Sequence, residues 1–136
     1  AKLMARALEA FEPDHVLFVS SRDGLDELSI TSPTDVIELK GGKTYEYTVE
    51  PGDVGLPLGR LRDIQVATPE ESGRLIVDIL KNRGPDSAVH IAAFNAGAAL
   101  YVAEQEGVAL ALEAVAGGEA LNQLERLKQK EEELYA

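Results

Sequence analysis

The residues best suited to chemistry lie in one short stretch, Ser20-Ser21-Arg22-Asp23-Gly24-Leu25-Asp26-Glu27-Leu28-Ser29. It places Asp23, Asp26 and Glu27 close together in a chain whose net charge is already −11. Two explanations compete. An acidic turn can simply be solvated, and short acidic motifs arise often by chance. Alternatively, the adjacent carboxylates of Asp26 and Glu27 can hold a cation. In a strand they would face opposite ways, but in a turn both can reach one ion or two neighbouring ions. Mg2+ suits that second reading, because it commonly takes one or two protein carboxylates plus substrate phosphate oxygens. On residue types alone the solvated turn is the commoner outcome, so the elements that position the stretch must decide.

Those elements begin with an amphipathic helix over residues 2–12, with Leu3, Met4, Ala7, Leu8 and Phe11 on one face. Glu12-Pro13-Asp14 ends it, since proline lacks the amide donor and disfavours helical geometry just before it. Val16-Leu17-Phe18-Val19 is then apolar at both parities, the pattern of a central strand covered on both faces as in a parallel α/β sheet. The acidic stretch follows the carboxyl end of that strand, where open α/β sheets bind ligands. TDVIELK and KTYEYTVE flank Gly41-Gly42 as a β-hairpin. Parity favours a three-residue loop, Lys40-Gly41-Gly42 with a glycine bulge. That loop pairs Ile37 with Tyr45 and gathers Ile37, Leu39, Tyr45, Tyr47 and Val49 on one face.

Residues 50–67 read as a long connection with one helical turn near Leu58–Asp63. Thr68-Pro69-Glu70-Glu71 is a strong helix start, with Thr as cap, Pro first and Glu three after the cap. That helix buries Leu75, Ile76, Ile79 and Leu80 and ends near Gly84. The next one, restarting at Gly84-Pro85-Asp86, is apolar all round through Ala103 and belongs at the centre of the fold. Val108–Ala116 is a short helix stopped by Gly117-Gly118. A last helix from about Glu119 buries Leu121, Leu124 and Leu127 and frays through KQKEEELYA. One buried parallel-type strand and one hairpin are too few for a complete sheet. Residues 1–136 are therefore expected to form a single incomplete α/β domain cut from a longer chain: a partial parallel sheet, a β-hairpin and packed helices.

Composition narrows the function classes. The 136 residues are 45% hydrophobic, which matches a soluble globular domain. There is no cysteine, which suits a reducing cytoplasm and removes disulfides and thiolate metal sites. The most apolar stretch, Ala88–Ala103, is broken by His90, Asn95 and Gly97 and is too short for a membrane span. Thirteen Lys and Arg against 24 Asp and Glu argue against nucleic acid, whose phosphates are gripped by bases. An acidic protein that handles phosphate is expected to recruit a divalent cation. His90, in an apolar helix, reads as a buried, hydrogen-bonded structural histidine, and His15 as a strand-entry residue. Asn95 reads as a partner for a loop backbone. Gly97 is expected to allow close helix packing, and Gly41-Gly42 is turn chemistry with no following helix to cradle a phosphate.

Several segments in order resemble the anthranilate phosphoribosyltransferase family of the tryptophan pathway. They are DGLDELS (Asp23–Ser29), ITSPTDVIEL (Ile30–Leu39), YTVEPGDVGLP (Tyr47–Pro57), TPEESGRLIVDIL (Thr68–Leu80), FNAGAALYVA (Phe94–Ala103) and EGVALALEAVAGGEALNQLERL (Glu106–Leu127). The resemblance covers nearly the whole chain and corresponds to the C-terminal part of a full-length member. It implies the α/β fold shared by phosphoribosyltransferases of this type and nucleoside phosphorylases. It also implies transfer of a phosphoribosyl group from phosphoribosyl pyrophosphate to the amine of anthranilate. Asp26 and Glu27 would then be the metal ligands, holding Mg2+ on the pyrophosphate, in a full-length homodimer. The chain departs from the family pattern at Ser20-Ser21, where members commonly carry His-Gly, and at Ser32, where they often carry Gly. The family's Gly-rich phosphate loop and N-terminal helical domain have no counterpart here, so the isolated chain is expected to be inactive. Three rivals are a nucleic-acid-binding relative without transfer activity, a pyrimidine nucleoside phosphorylase-like enzyme of the same fold, and a structural fragment with no ligand of its own.

Overall fold

The computed structural model describes residues 1–105 and 107–135. The chain runs α1 (Lys2–Glu9), β1 (His15–Ser21), β2 (Thr34–Lys40), β3 (Lys43–Val49), then α2 (Pro69–Leu80), α3 (Asp86–Val102), α4 (Val108–Gly117) and α5 (Glu119–Tyr135). The connection between β3 and α2 is ordered by two short 3-10 turns, Pro51–Val54 and Leu61–Asp63. The α/β class expected from the sequence is what forms.

The strand pairing differs from expectation. The sheet has the order β1-β2-β3, and both pairings are antiparallel. No parallel partner of β1 occurs among the described residues, and its outer edge is unpaired there. The two-sided apolar run of β1 has another cause. Val16 and Phe18 pack with Ala5 and Leu8 of α1 against Ile37 and Leu39. Val19, at the opposite parity, packs into the cluster of Leu28, Ile30, Leu56, Ile91 and Phe94 beneath α3. Helices on both faces produce such a run whatever the direction of the neighbouring strand.

The hairpin is also corrected. Lys40 pairs with Lys43, Leu39 with Thr44 and Ile37 with Glu46, so the loop is the two residues Gly41-Gly42. Both glycines have positive φ, +56° and +72°, as the tight turn matching strand twist demands. Parity does not set the register because β2 is buried on both faces. Val36 and Glu38 are covered as fully as Ile37 and Leu39, so the apolar residues did not need a common side.

Helix boundaries follow the local chemistry. Thr68 Oγ1 accepts the Glu71 backbone N–H at 3.2 Å, and the Glu71 carboxylate accepts the Ala67 N–H at 2.8 Å. Ile79 is the buried anchor of α2, packed with Ala88 and Val115, whereas Ile76 is exposed. In α5, Leu121 and Leu124 are half-buried but Leu127 is exposed, and the helix continues to Tyr135 through the segment expected to fray, whose last residue, Ala136, lies outside the described residues. Gly97 does permit close packing: a Cβ there would lie 2.6 Å from the Val108 backbone nitrogen.

Candidate functional site

The acidic loop leaves the carboxyl end of β1 and is fastened at both ends. At its front, Ser21 N–H donates to the Leu25 carbonyl at 3.1 Å, and Gly24 turns the chain at φ +93°. Asp23 organises the interior. Its Oδ1 accepts from Ser21 Oγ at 2.7 Å and from the Leu25 N–H at 3.3 Å, the second closing a turn of the kind Asp favours. Its Oδ2 accepts from Ser29 Oγ at 2.6 Å and Thr31 Oγ1 at 2.5 Å. Burial pushes the Asp23 carboxyl up, but the Ser29, Thr31 and Ser21 hydroxyls and the Leu25 amide together hold it well below the usual carboxylate range. Asp23 thus stays ionised to accept its donors and is occupied in shaping the loop.

At the loop's far end, Leu28 is buried and Ser29 and Ile30 are fully inaccessible. Asn95 of α3 accepts the Leu28 N–H and donates to the Leu28 carbonyl, both at 2.9 Å. The loop-backbone role expected for Asn95 is thereby met. Below it, the Ile30 carbonyl accepts the Gly59 N–H at 2.8 Å, where a Cβ on Gly59 would meet Ile30 Cγ2 at 2.7 Å.

Asp26 and Glu27 project from between these anchors. Leu25 and Leu28 on either side are drawn into the same apolar cluster, so the two residues between them are left exposed at the surface. Among the described residues, neither carboxylate has a hydrogen bond or ion pair with another side chain. The nearby Arg22 is committed to Asp35, with Nη2 to Oδ1 at 2.6 Å. The Glu27 carboxyl is pushed above its ordinary value, first by partial desolvation and second by the negative charge of Asp26. Two carboxylates held together without a protein cation store a repulsion that a divalent ion would relieve. Among the described residues there is no group of three or more His, Asp or Glu able to cage a metal.

The histidines stand elsewhere. His90 is half-buried on α3, not fully buried as the sequence suggested. His15 does begin β1, but its Nε2 lies 2.7 Å from Glu38 Oε1, with the two side chains only 6% and 8% exposed. Tyr101 of α3 donates to the same Glu38 oxygen at 2.9 Å and meets the His15 ring edge-on. Nothing in sequence spacing announces this network, because its members are paired by strand register and by α3. Between the sheet and the α3–α4 layer lies a largely apolar cavity of about 430 Å3, lined by Leu17, Val36, Tyr47, Phe94, Tyr101 and Val108 among others. No helix among the described residues is long and apolar enough to cross a membrane.

Comparison with known proteins identifies the family. Residues 1–121 match the family described as glycosyl transferase family, a/b domain. The whole chain is 96% identical to part of an anthranilate phosphoribosyltransferase of Bacillus licheniformis and 62% identical to part of that of Bacillus subtilis strain 168, covering 42% of each. The first match runs over 141 aligned positions for a chain of 136 residues, so five residues of that relative have no counterpart here. Among solved structures, the anthranilate phosphoribosyltransferase of Thermus thermophilus superposes with a TM-score of 0.78 at 36% identity, over 90% of this chain and 37% of that one. The chain thus spans about two fifths of the length of the curated relatives it matches. Matched over most of its length, with its carboxylate loop held past the end of β1, the chain belongs to the glycosyl transferase family, a/b domain.

Proposed function

We propose that the chain is the C-terminal part of an anthranilate phosphoribosyltransferase, a cytoplasmic homodimer. Within it, residues 1–136 form an incomplete α/β domain that supplies Asp26 and Glu27 as Mg2+ ligands. The observation that carries this reading is the exposed Asp26–Glu27 pair, on a loop tied down by Asp23 and Asn95, without a partner cation among the described residues, and with the Glu27 carboxyl raised first by partial desolvation and second by Asp26. The identity to relatives of that name supports the reaction: phosphoribosyl passes from phosphoribosyl pyrophosphate to the amine of anthranilate. When bound, Mg2+ would neutralise charge on the departing pyrophosphate.

This chain's own work is positional. Asp26 and Glu27 present their carboxylates at the surface of the loop, and Asp23 and Asn95 tie the backbone on either side of them. Preorganised charge of this kind lowers a barrier because nothing has to reorient as charge develops. Little covalent chemistry is asked of the protein, and positioning supplies the remainder. In the full-length enzyme, the double variant Asp26→Ala/Glu27→Ala is expected to lose Mg2+-dependent turnover. Near-parental turnover in that variant would remove both residues from the site.

A further inference from the structure

The peptide that carries Glu27 into the core is held by a side chain 67 residues away in sequence. The Asn95 carboxamide pairs with the Leu28 backbone much as a neighbouring strand would, accepting from its N–H and donating to its C=O, each at 2.9 Å. Its second N–H goes to the Ile91 carbonyl one turn back on α3, at 3.0 Å. Both donors and the acceptor are engaged, so the amide cannot rotate without breaking bonds in a half-buried setting. The apolar seat of Leu28 holds the loop down but gives no direction, because hydrophobic burial is non-directional. Asp23 fixes the opposite side of the loop through Ser29 and Thr31. Direction on the Glu27 side comes from Asn95.

We infer that Asn95 is a positioning residue for the metal-binding pair, orienting the Glu27–Leu28 peptide so that both carboxylates converge on one ion. The inference rests on the assignment of Asp26 and Glu27 as Mg2+ ligands. Mg2+ tolerates little departure from octahedral geometry, so a loop that loses its directional tie loses ion affinity before it loses its fold. Neighbouring side chains cannot substitute. Asp has no N–H for the Leu28 carbonyl, Gln is a methylene too long for the same pairing, and Ala offers nothing.

The test compares Asn95→Ala, Glu27→Gln and, as a destabilised reference outside the loop, Ile79→Ala in the full-length enzyme. Turnover is followed against Mg2+ concentration, beside the melting temperature and the KM for anthranilate. Outer-shell partners of metal ligands typically change affinity 10–100-fold. Asn95→Ala is therefore expected to raise the Mg2+ concentration for half-maximal turnover by about 10-fold or more. Rate should be largely recovered at saturating Mg2+, with the anthranilate KM unchanged. Ile79→Ala should lower the melting temperature and leave the Mg2+ dependence alone. If Glu27→Gln shifts the Mg2+ dependence and Asn95→Ala does not, or shifts it no more than Ile79→Ala, the positioning role is overturned and the metal assignment stands. If Glu27→Gln also leaves it unchanged, the metal assignment falls and this inference with it. Should Asn95→Ala fail to fold, Asn95→Ser, which keeps a small polar group, is read by the same criteria.

Discussion

Asp23 accepts four hydrogen bonds, and the cost of losing them falls mainly on Ser29, whose hydroxyl has no access to water and would keep only the longer contact to Thr31 Oγ1, at 3.1 Å. A buried donor left without its acceptor costs about 1–3 kcal/mol. Asp23→Ala should therefore lower the unfolding free energy by that order, with Asp23→Asn falling between it and the parent. Denaturant titration with an unchanged m-value checks this, and a loss under about 0.5 kcal/mol would place Asp23 among ordinary surface residues. Glu27 behaves oppositely. Its carboxyl is raised by desolvation and by Asp26, so the ionised form is disfavoured in the fold. Glu27→Gln should leave stability in metal-free buffer unchanged or slightly higher while abolishing the Mg2+ response. Asp23 and Glu27 lie four positions apart in one acidic stretch, yet one stabilises the loop and the other strains it. The contrast comes from Ser21, Ser29 and Thr31, which surround the first and not the second.

Between elements, Glu38 couples β2 to β1 through His15 and to α3 through Tyr101. Burial pushes its carboxyl up, but hydrogen bonds from Tyr101, His15 and Tyr47 bring it below its ordinary value. The sign follows from linkage: a depressed carboxyl contributes stability that is fully present above its unfolded-state value and is lost as pH falls through the lower folded-state value. Thermal melts between pH 3 and 7 should thus show Glu38→Gln less stable than the parent at neutral pH, with the gap closing toward the acid end. A gap independent of pH would mean that the Glu38 charge does not stabilise the fold. The α3–α4 contact makes a second demand, since a Cβ at Gly97 would lie 2.6 Å from Val108 N. Overpacking of this kind typically costs about 1–3 kcal/mol, so Gly97→Ala should lower the melting temperature by several degrees. Elements whose cause is local were legible in the sequence: the Thr68-Pro69 cap, the apolar α3, the hairpin glycines, the acidic loop past β1 and the backbone role of Asn95. What could not be read depended on which faces other elements cover. Ile37 and Leu39 looked as if they needed a common side with Tyr45 and Tyr47. Once α1 covers one face of β2 and α3 the other, parity no longer fixes the hairpin register. The same double cover made β1 look like a parallel central strand. Leu127 reads as core by its spacing, but α5 has no element against that turn among the described residues.

For the molecule as a whole, the charge distribution decides which phosphate compounds can approach. Beyond the net charge of −11, at least five of the 13 Lys and Arg side chains are paired with acids. Lys2 pairs with Glu46, Arg22 with Asp35, Arg60 with Asp63, Arg83 with Asp78 and Lys128 with Glu125. Exposed pairs like these add little to stability, but they lower the positive charge left to meet a phosphate. A polyanion approaching the acidic loop therefore meets net repulsion unless a divalent ion comes with it. Nucleic acid, which needs several Lys or Arg contacts to displace its counterions, is opposed more strongly, and without any compensating ion at each phosphate. Calorimetry separates the cases. Phosphoribosyl pyrophosphate should give no binding heat with the chain in EDTA at any ionic strength, whereas any heat that appears should require Mg2+ and vanish in Asp26→Ala/Glu27→Ala. Duplex or single-stranded nucleic acid should not be retained in filter binding even at low salt, where unscreened attraction would be strongest. Binding of phosphoribosyl pyrophosphate in EDTA comparable to that in Mg2+ would mean that a basic surface outside the carboxylate loop grips the phosphates. The loop would then have only the solvated-turn role that its residue types first allowed.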